Sequence, residues 1–195
     1  MNRQLVLASS SPYRRELLSR LQLPFEAISP DIDETPRKAE TPQAMVRRLS
    51  ESKATALRER FPEALLIGSD QCVVLGDSII GKPGTHEAAR AQLQAASGRQ
   101  IEVHTGLCLL DAATGVAWND VVSYDIVFRE LDTLEIERYL EIEQPYDCAG
   151  SVKSEGLGVA LLKRMRGDDP SALIGLPLIR LCEMLRAAGM HIPAA

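Results

Sequence analysis

Lys53 stands on what should be an apolar stripe. The stretch from about Pro42 to Arg60 has the spacing of one long helix whose buried face runs through Val46, Leu49 and Leu57, and Lys53 falls on that face, four residues from each leucine. A buried ammonium without a partner is costly, so either the stripe passes a polar cleft or the lysine snorkels to solvent. Asp70 is the second misfit. Ala64-Leu65-Leu66-Ile67-Gly68 is a continuous apolar run of the kind that fills a central strand, and it ends at Ser69-Asp70-Gln71 before Cys72 to Leu75 resumes. Groups that bind and react gather at the carboxyl ends of strands in open α/β sheets, although a plain strand-end turn would also carry an aspartate. Glu34 in the acidic loop Asp31 to Pro36, Lys82 in Gly81-Lys82-Pro83 and the pair Arg14-Arg15 complete the set. Singly, each of these reads as an ordinary solvated charge.

As a group they describe one device. Carboxylates hold a divalent cation, lysines and an arginine neutralise phosphate oxygens, and a helix N-terminus capped by Ser11 and opened by Pro12 offers amides to an anion. That device cleaves phosphate. Spacing alone does not bring its parts together.

The elements that must position them follow from periodicity and turn chemistry. Leu5 to Ala8 reads as a strand, Tyr13 to Leu21 as a helix, Pro24 to Ser29 as a strand and His86 to Ala96 as a helix closing near Gly98. Ile101 to Leu110 and Val116 to Phe128 form a hairpin around Asp111 to Gly115, and Leu131 to Ile142 is helical. Beyond the glycine- and serine-rich Ala149 to Gly158 come a short strand, Val159 to Leu162, and a helix from Pro177 to Ala188. Strands mixed with helices, without a sustained βα repeat, predict an α/β fold on a bent mixed sheet flanked by helices, forming a single domain over residues 1–195.

Composition narrows the function. The formal net charge of −5 argues against a nucleic acid polymer as partner, so a phosphate ligand needs a local positive site. The four cysteines form no C-x-x-C pair, the three histidines lack metal-ligand spacing, and Gly150 to Gly158 is not a Walker loop. The apolar run at the start is too short for a signal peptide and no stretch approaches the roughly 20 apolar residues of a membrane span, so the expected setting is cytoplasmic, away from the membrane.

The blocks Leu7 to Leu18, Asp33-Glu34, Lys53-Ala54, Gly68-Ser69-Asp70-Gln71, Gly81-Lys82-Pro83, Thr105-Gly106, Cys148-Ala149-Gly150-Ser151 and Gly175-Leu176-Pro177-Leu178, in this order, resemble the Maf family over nearly the whole chain. The resemblance implies a Maf, or inosine triphosphate pyrophosphatase-like, fold with two lobes around a deep cleft. It also implies a nucleoside triphosphate pyrophosphatase that depends on a divalent metal (Mg, Mn or Co). It assigns Asp70 as the base, with Glu34, Lys53 and Lys82 as further catalytic groups, and Glu34 and Asp70 as metal ligands. Ser9, Ser11 and Arg14 are placed at the phosphates. Three positions that vary between branches, here Tyr13, Gln71 and Glu155, resemble the 7-methyl-GTP branch, whereas the dTTP/UTP branch has arginine, threonine and glutamine there. The chemistry agrees: a carboxylate at Glu155 can accept the two adjacent donors of guanine, and the positive charge of a methylated ring favours both that carboxylate and an aromatic face such as Tyr13. Tyr13 otherwise reads as a solvent-facing helix residue. The resemblance alone points to a homodimer. The rival readings are the dTTP/UTP activity of the sister branch and a non-catalytic nucleotide-binding regulator of septum formation.

Overall fold

A computed structural model describes residues 3–193. In chain order the elements are β1 (Leu5–Ala8), α1 (Pro12–Ser19), β2 (Glu26–Ile28), α2 (Pro42–Thr55), β3 (Leu65–Leu75), β4 (Ser78–Ile80), α3 (His86–Ala96), β5 (Gln100–Asp111), β6 (Ala117–Phe128), α4 (Thr133–Glu143), β7 (Leu162–Arg166), α5 (Ser171–Ile174) and α6 (Leu178–Ala187). Seven strands form one mixed sheet in the order β2-β1-β3-β5-β6-β7, with β4 paired to β3. β1 runs parallel to both β2 and β3, while β4 is antiparallel to β3 and β7 to β6. The α/β class and the mixed sheet expected from the sequence are therefore present.

The chain gathers into two compact units. One comprises the chain up to Gln71, His104–Val122 and the chain from Asp169 onward; the other comprises Cys72–Val103 and Ser123–Asp168.

In the first unit the period-two alternation of strands decides which helix each side chain meets. Leu65 and Ile67 join Leu5, Leu7, Leu107 and Leu109 in a core with Leu17, Leu18, Leu181 and Leu185 from α1 and α6. Leu66, by contrast, packs with Val6, Ala8, Cys108 and Leu110 on the side covered by Ala54 and Leu57. Gly68 continues the second set, and there the helix lies directly on the strand: a methyl at Gly68 would come within 1.9 Å of the Ser50 carbonyl oxygen, and one at Gly106 within 2.2 Å of that of Val46. Glycine is required at both places because the obstacle is backbone, which has nowhere to go.

Three expectations need correction. β3 is one unbroken strand through Ser69-Asp70-Gln71, so Asp70 lies at its middle and not at a carboxyl end. The helix expected to reach Arg60 ends at Thr55 and continues as turns. The strand expected at Val159 to Leu162 is a 3₁₀ segment, Leu157–Leu161, with β7 starting only at Leu162. A short apolar run can be read either way, and here Gly156 and Gly158 immediately before it favour the turn.

Candidate active site

Alternation places Asp70 on the same face as Leu66 and Gly68, which is the α2 side, and Lys53 meets it there. The ammonium donates to Asp70 Oδ1 at 2.7 Å and pairs with Glu34 Oε1 at 2.8 Å. Lys53 is only 6% exposed and Asp70 only 8%, so the snorkelling alternative does not hold. The lysine can sit on a buried stripe because two carboxylates meet its charge. Glu34, by contrast, lies on an exposed loop.

That loop is tied down from α2. Asp33 Oδ1 accepts the Thr35 amide at 2.9 Å, folding the chain around Glu34, and the Thr35 side chain first, with that amide after it, holds the Asp33 carboxyl below its ordinary value. Arg48 grips Glu40 through Nε and Nη2, both at 2.7 Å, and reaches the Thr35 carbonyl at 3.2 Å. The Arg48 fork holds Glu40 down to about 2, from 4.5. A depressed carboxyl contributes stability that is complete above its unfolded value and disappears as pH falls through its folded value. Arg48→Ala is therefore expected to be less stable than the parent near pH 5, with the gap narrowing steadily toward about pH 2, as measured by urea unfolding across that range.

The odd-numbered face of β3 builds a second arrangement. The Ser69 hydroxyl lies 2.9 Å from the carbonyls of both Gly106 and Gly175. Gln71 Nε2 donates to Ala172 O at 2.7 Å, Leu173 O at 3.1 Å and Thr105 Oγ1 at 3.0 Å, while the Thr105 hydroxyl donates to Ala172 O. With its nitrogen facing carbonyls, only the oxygen of the Gln71 amide remains to meet a ligand. Gly175, in the left-handed region at φ 118°, offers its carbonyl to Arg14 Nε at 2.8 Å as well. Burial lowers the pKa of the half-buried Arg14 guanidinium, and the nearby charges of Asp70 and Glu34 oppose that shift. Ser11 caps α1 by accepting the Arg14 amide at 3.4 Å, as its pairing with Pro12 predicts, and Ser9 Oγ accepts the Ser11 amide at 3.1 Å. Tyr13 follows on the same helix and is half-buried.

Glu34, Lys53, Asp70, Arg14, Ser9, Ser11, Tyr13 and Gln71 all belong to the first unit, and Lys82 and Glu155 to the second. Lys82 is exposed on the loop before α3. Gln92 steadies that loop by donating to Gly81 O at 3.1 Å and accepting the Ser151 hydroxyl at 2.6 Å, and the Gly84 amide reaches Tyr146 O at 3.0 Å. Asp169 gave no signal in the sequence. It is buried, accepts the amides of Ser171 at 3.1 Å and Ile179 at 2.8 Å, and so fixes the starts of α5 and α6 around Gly175. His86 pairs with Glu137 at 2.7 Å and His104 with Gln43 at 3.2 Å, in keeping with structural roles.

A Maf-like protein family model matches residues 4–188. The chain belongs to the Maf family. It is 57% identical over 188 residues to the 7-methyl-GTP pyrophosphatase of Nitrosococcus oceani, which covers 96% of this chain and 94% of that one. It is also 57% identical over 189 residues to that of Pseudomonas fluorescens Pf-5, covering 97% and 98%. Among solved structures, the Ham1 protein of Staphylococcus aureus superposes with a TM-score of 0.46 at 15% identity, over 66% of this chain and 73% of that chain. Within the Maf frame, the blocks at 68–71 and 175–178 have a shared physical explanation. The strand supplies Asp70 to one face and Ser69 and Gln71 to the other, and the second block supplies the carbonyl that holds both Ser69 and Arg14.

No group of three His, Cys, Asp or Glu among the described residues is arranged to hold a metal ion. Glu34 and Asp70 nevertheless present two hard oxygen donors around one ammonium. This suits a cation such as magnesium, which binds through one or two carboxylates and completes its shell with substrate phosphates and water.

Proposed function

We propose that the chain hydrolyses 7-methyl-GTP to 7-methyl-GMP and pyrophosphate in a metal-dependent reaction. The observation that carries the proposal is the buried Lys53 ammonium held between the Asp70 and Glu34 carboxylates, with Arg14 in their field. The name carried by relatives at 57% identity gives the substrate.

In this reading Asp70 takes the proton from the water that attacks the α-phosphorus, and Glu34 orients that water. Glu34 and Asp70 would hold a divalent cation, which would supply Lewis acidity and lower the pKa of the attacking water so that a carboxylate could act as base. Lys53 and Arg14 stabilise charge on the transferring phosphoryl group and on the departing pyrophosphate, and Lys82 joins them on the strength of the sequence resemblance. The Ser9 and Ser11 hydroxyls, which can accept and donate at once, face phosphate oxygens. Glu155 accepts the adjacent donors of guanine, Tyr13 stacks on the cationic ring, and the Gln71 oxygen adds a further acceptor. The same reading places the enzyme in the cytoplasm and pairs it as a homodimer. No described helix is long and apolar enough to cross a membrane.

The test is pyrophosphate release from 7-methyl-GTP, GTP, UTP, dTTP, CTP and ITP, with magnesium, manganese, cobalt or chelator. Preference for 7-methyl-GTP that disappears with chelator, and that weakens by about tenfold or more in Glu155→Gln, is the expected result. Preference for UTP or dTTP would transfer the chain to the sister activity, and an absence of turnover would favour a nucleotide-binding regulator.

A further inference from the structure

Glu155 sits on a five-residue loop that one helix fastens at both ends. From α4, Glu143 accepts the Leu157 amide at 2.8 Å and pairs with the Lys153 ammonium at 3.1 Å. One turn earlier on the same helix, the buried Tyr139 accepts the Lys153 amide at 3.0 Å. Between these anchors Gly156 rests on the Glu143 carboxylate so closely that a methyl there would come within 2.7 Å of Oε2. The Leu157 amide first, and the Lys153 ammonium after it, hold the Glu143 carboxyl below its ordinary value, so it stays ionised and bonded at neutral pH. Glu155 itself is exposed, and among the described residues its carboxylate accepts the Ser154 hydroxyl at 3.4 Å. That described contact is too long to orient the carboxylate strongly. What orients it is the backbone on either side.

We propose that Glu143 is a positioning residue for base recognition, presetting the loop so that the Glu155 carboxylate meets the base without being ordered at the moment of binding. The proposal rests on the reading of Glu155 given above. Its physical basis is entropy: a free loop must lose conformational freedom when the nucleotide binds, and a loop already pinned at Lys153 and Leu157 has lost most of it. Glu143 touches no substrate in this scheme. It also lies outside the sequence blocks that mark the family, so spacing gave no reason to single it out.

The experiment compares kcat/KM for 7-methyl-GTP with that for UTP in the parent, Glu143→Ala, Glu143→Gln, Glu155→Gln and the Glu143→Ala/Glu155→Gln double variant. Glu143→Ala is expected to reduce the preference for 7-methyl-GTP by about tenfold, chiefly through KM, and the double variant to be no less selective than Glu155→Gln alone. Glu143→Gln keeps an oxygen for the Leu157 amide and is expected to recover part of the preference. A purely structural role would instead lower activity on both nucleotides equally. If Glu155→Gln changes the preference while Glu143→Ala does not, or if the two effects simply add, the positioning role is overturned and the reading of Glu155 survives. If Glu155→Gln leaves the preference unaltered, that reading fails and the role of Glu143 fails with it. Should Glu143→Ala not fold, Glu143→Gln and Tyr139→Phe each remove part of the anchorage and carry the same comparison.

Discussion

Asp70→Asn is expected to lower kcat for pyrophosphate release by about 10²–10⁴-fold, the usual worth of a positioned general base, while leaving the protein folded. The substitution preserves shape and an oxygen to accept from Lys53, so the bond at 2.7 Å can persist in neutral form. Lys53 also keeps Glu34 as a counter-charge at 2.8 Å. What is lost is the ability to take a proton and one of two anionic oxygens able to face a cation. Turnover at saturating nucleotide, with a thermal melt on the same sample, separates these effects. Full turnover with unchanged metal dependence would remove Asp70 from the role of base.

Lys53→Met should have two separable effects. The apolar side chain fits the buried stripe with Val46 and Leu49, but Asp70, at 8% exposure, loses the ammonium that compensates it. Removing one partner of a buried pair typically costs about 3–5 kcal/mol, and the field of Arg14 places the expectation near the lower end. Turnover is expected to fall by about 10²–10³-fold, because a cation aimed at developing phosphate charge is gone. The double variant Lys53→Met/Asp70→Asn removes the stranded charge, so stability should recover while activity does not. If urea unfolding shows the double variant less stable than Lys53→Met, the two side chains are not coupled as their geometry indicates.

The sequence made Lys53 and Asp70 visible because each breaks a strong local pattern: a charge on a helical stripe and a carboxylate inside an apolar run. That they touch was not legible. β3 is buried on both faces, so its apolar run hides the alternation that sends Asp70 to α2 and Ser69 and Gln71 to α5. For the same reason the break at Ser69-Asp70-Gln71 suggested the end of a strand that in fact continues. Glu34 lies on an exposed loop where acidic residues are commonplace, and its significance depends on a lysine nineteen positions later. α5 has four residues, too few to show a helical period, and its role depends on backbone carbonyls, which no side-chain pattern reports. Asp169 was missed because a capping carboxylate next to a proline looks like any turn.

The two glycines beneath α2 divide mobility within the first unit. With helix backbone in contact with strand backbone at Gly68 and Gly106, residues 46–54 cannot shift without lifting the whole helix from the sheet. Glu34 hangs on a loop held by exposed ties that can break and remake one at a time. In hydrogen–deuterium exchange the amides around Lys53 should therefore be among the slowest in the chain and those around Glu34 among the fastest. One carboxylate of the pair would then be a stationary reference, and the other the part that yields when a nucleotide enters or pyrophosphate departs.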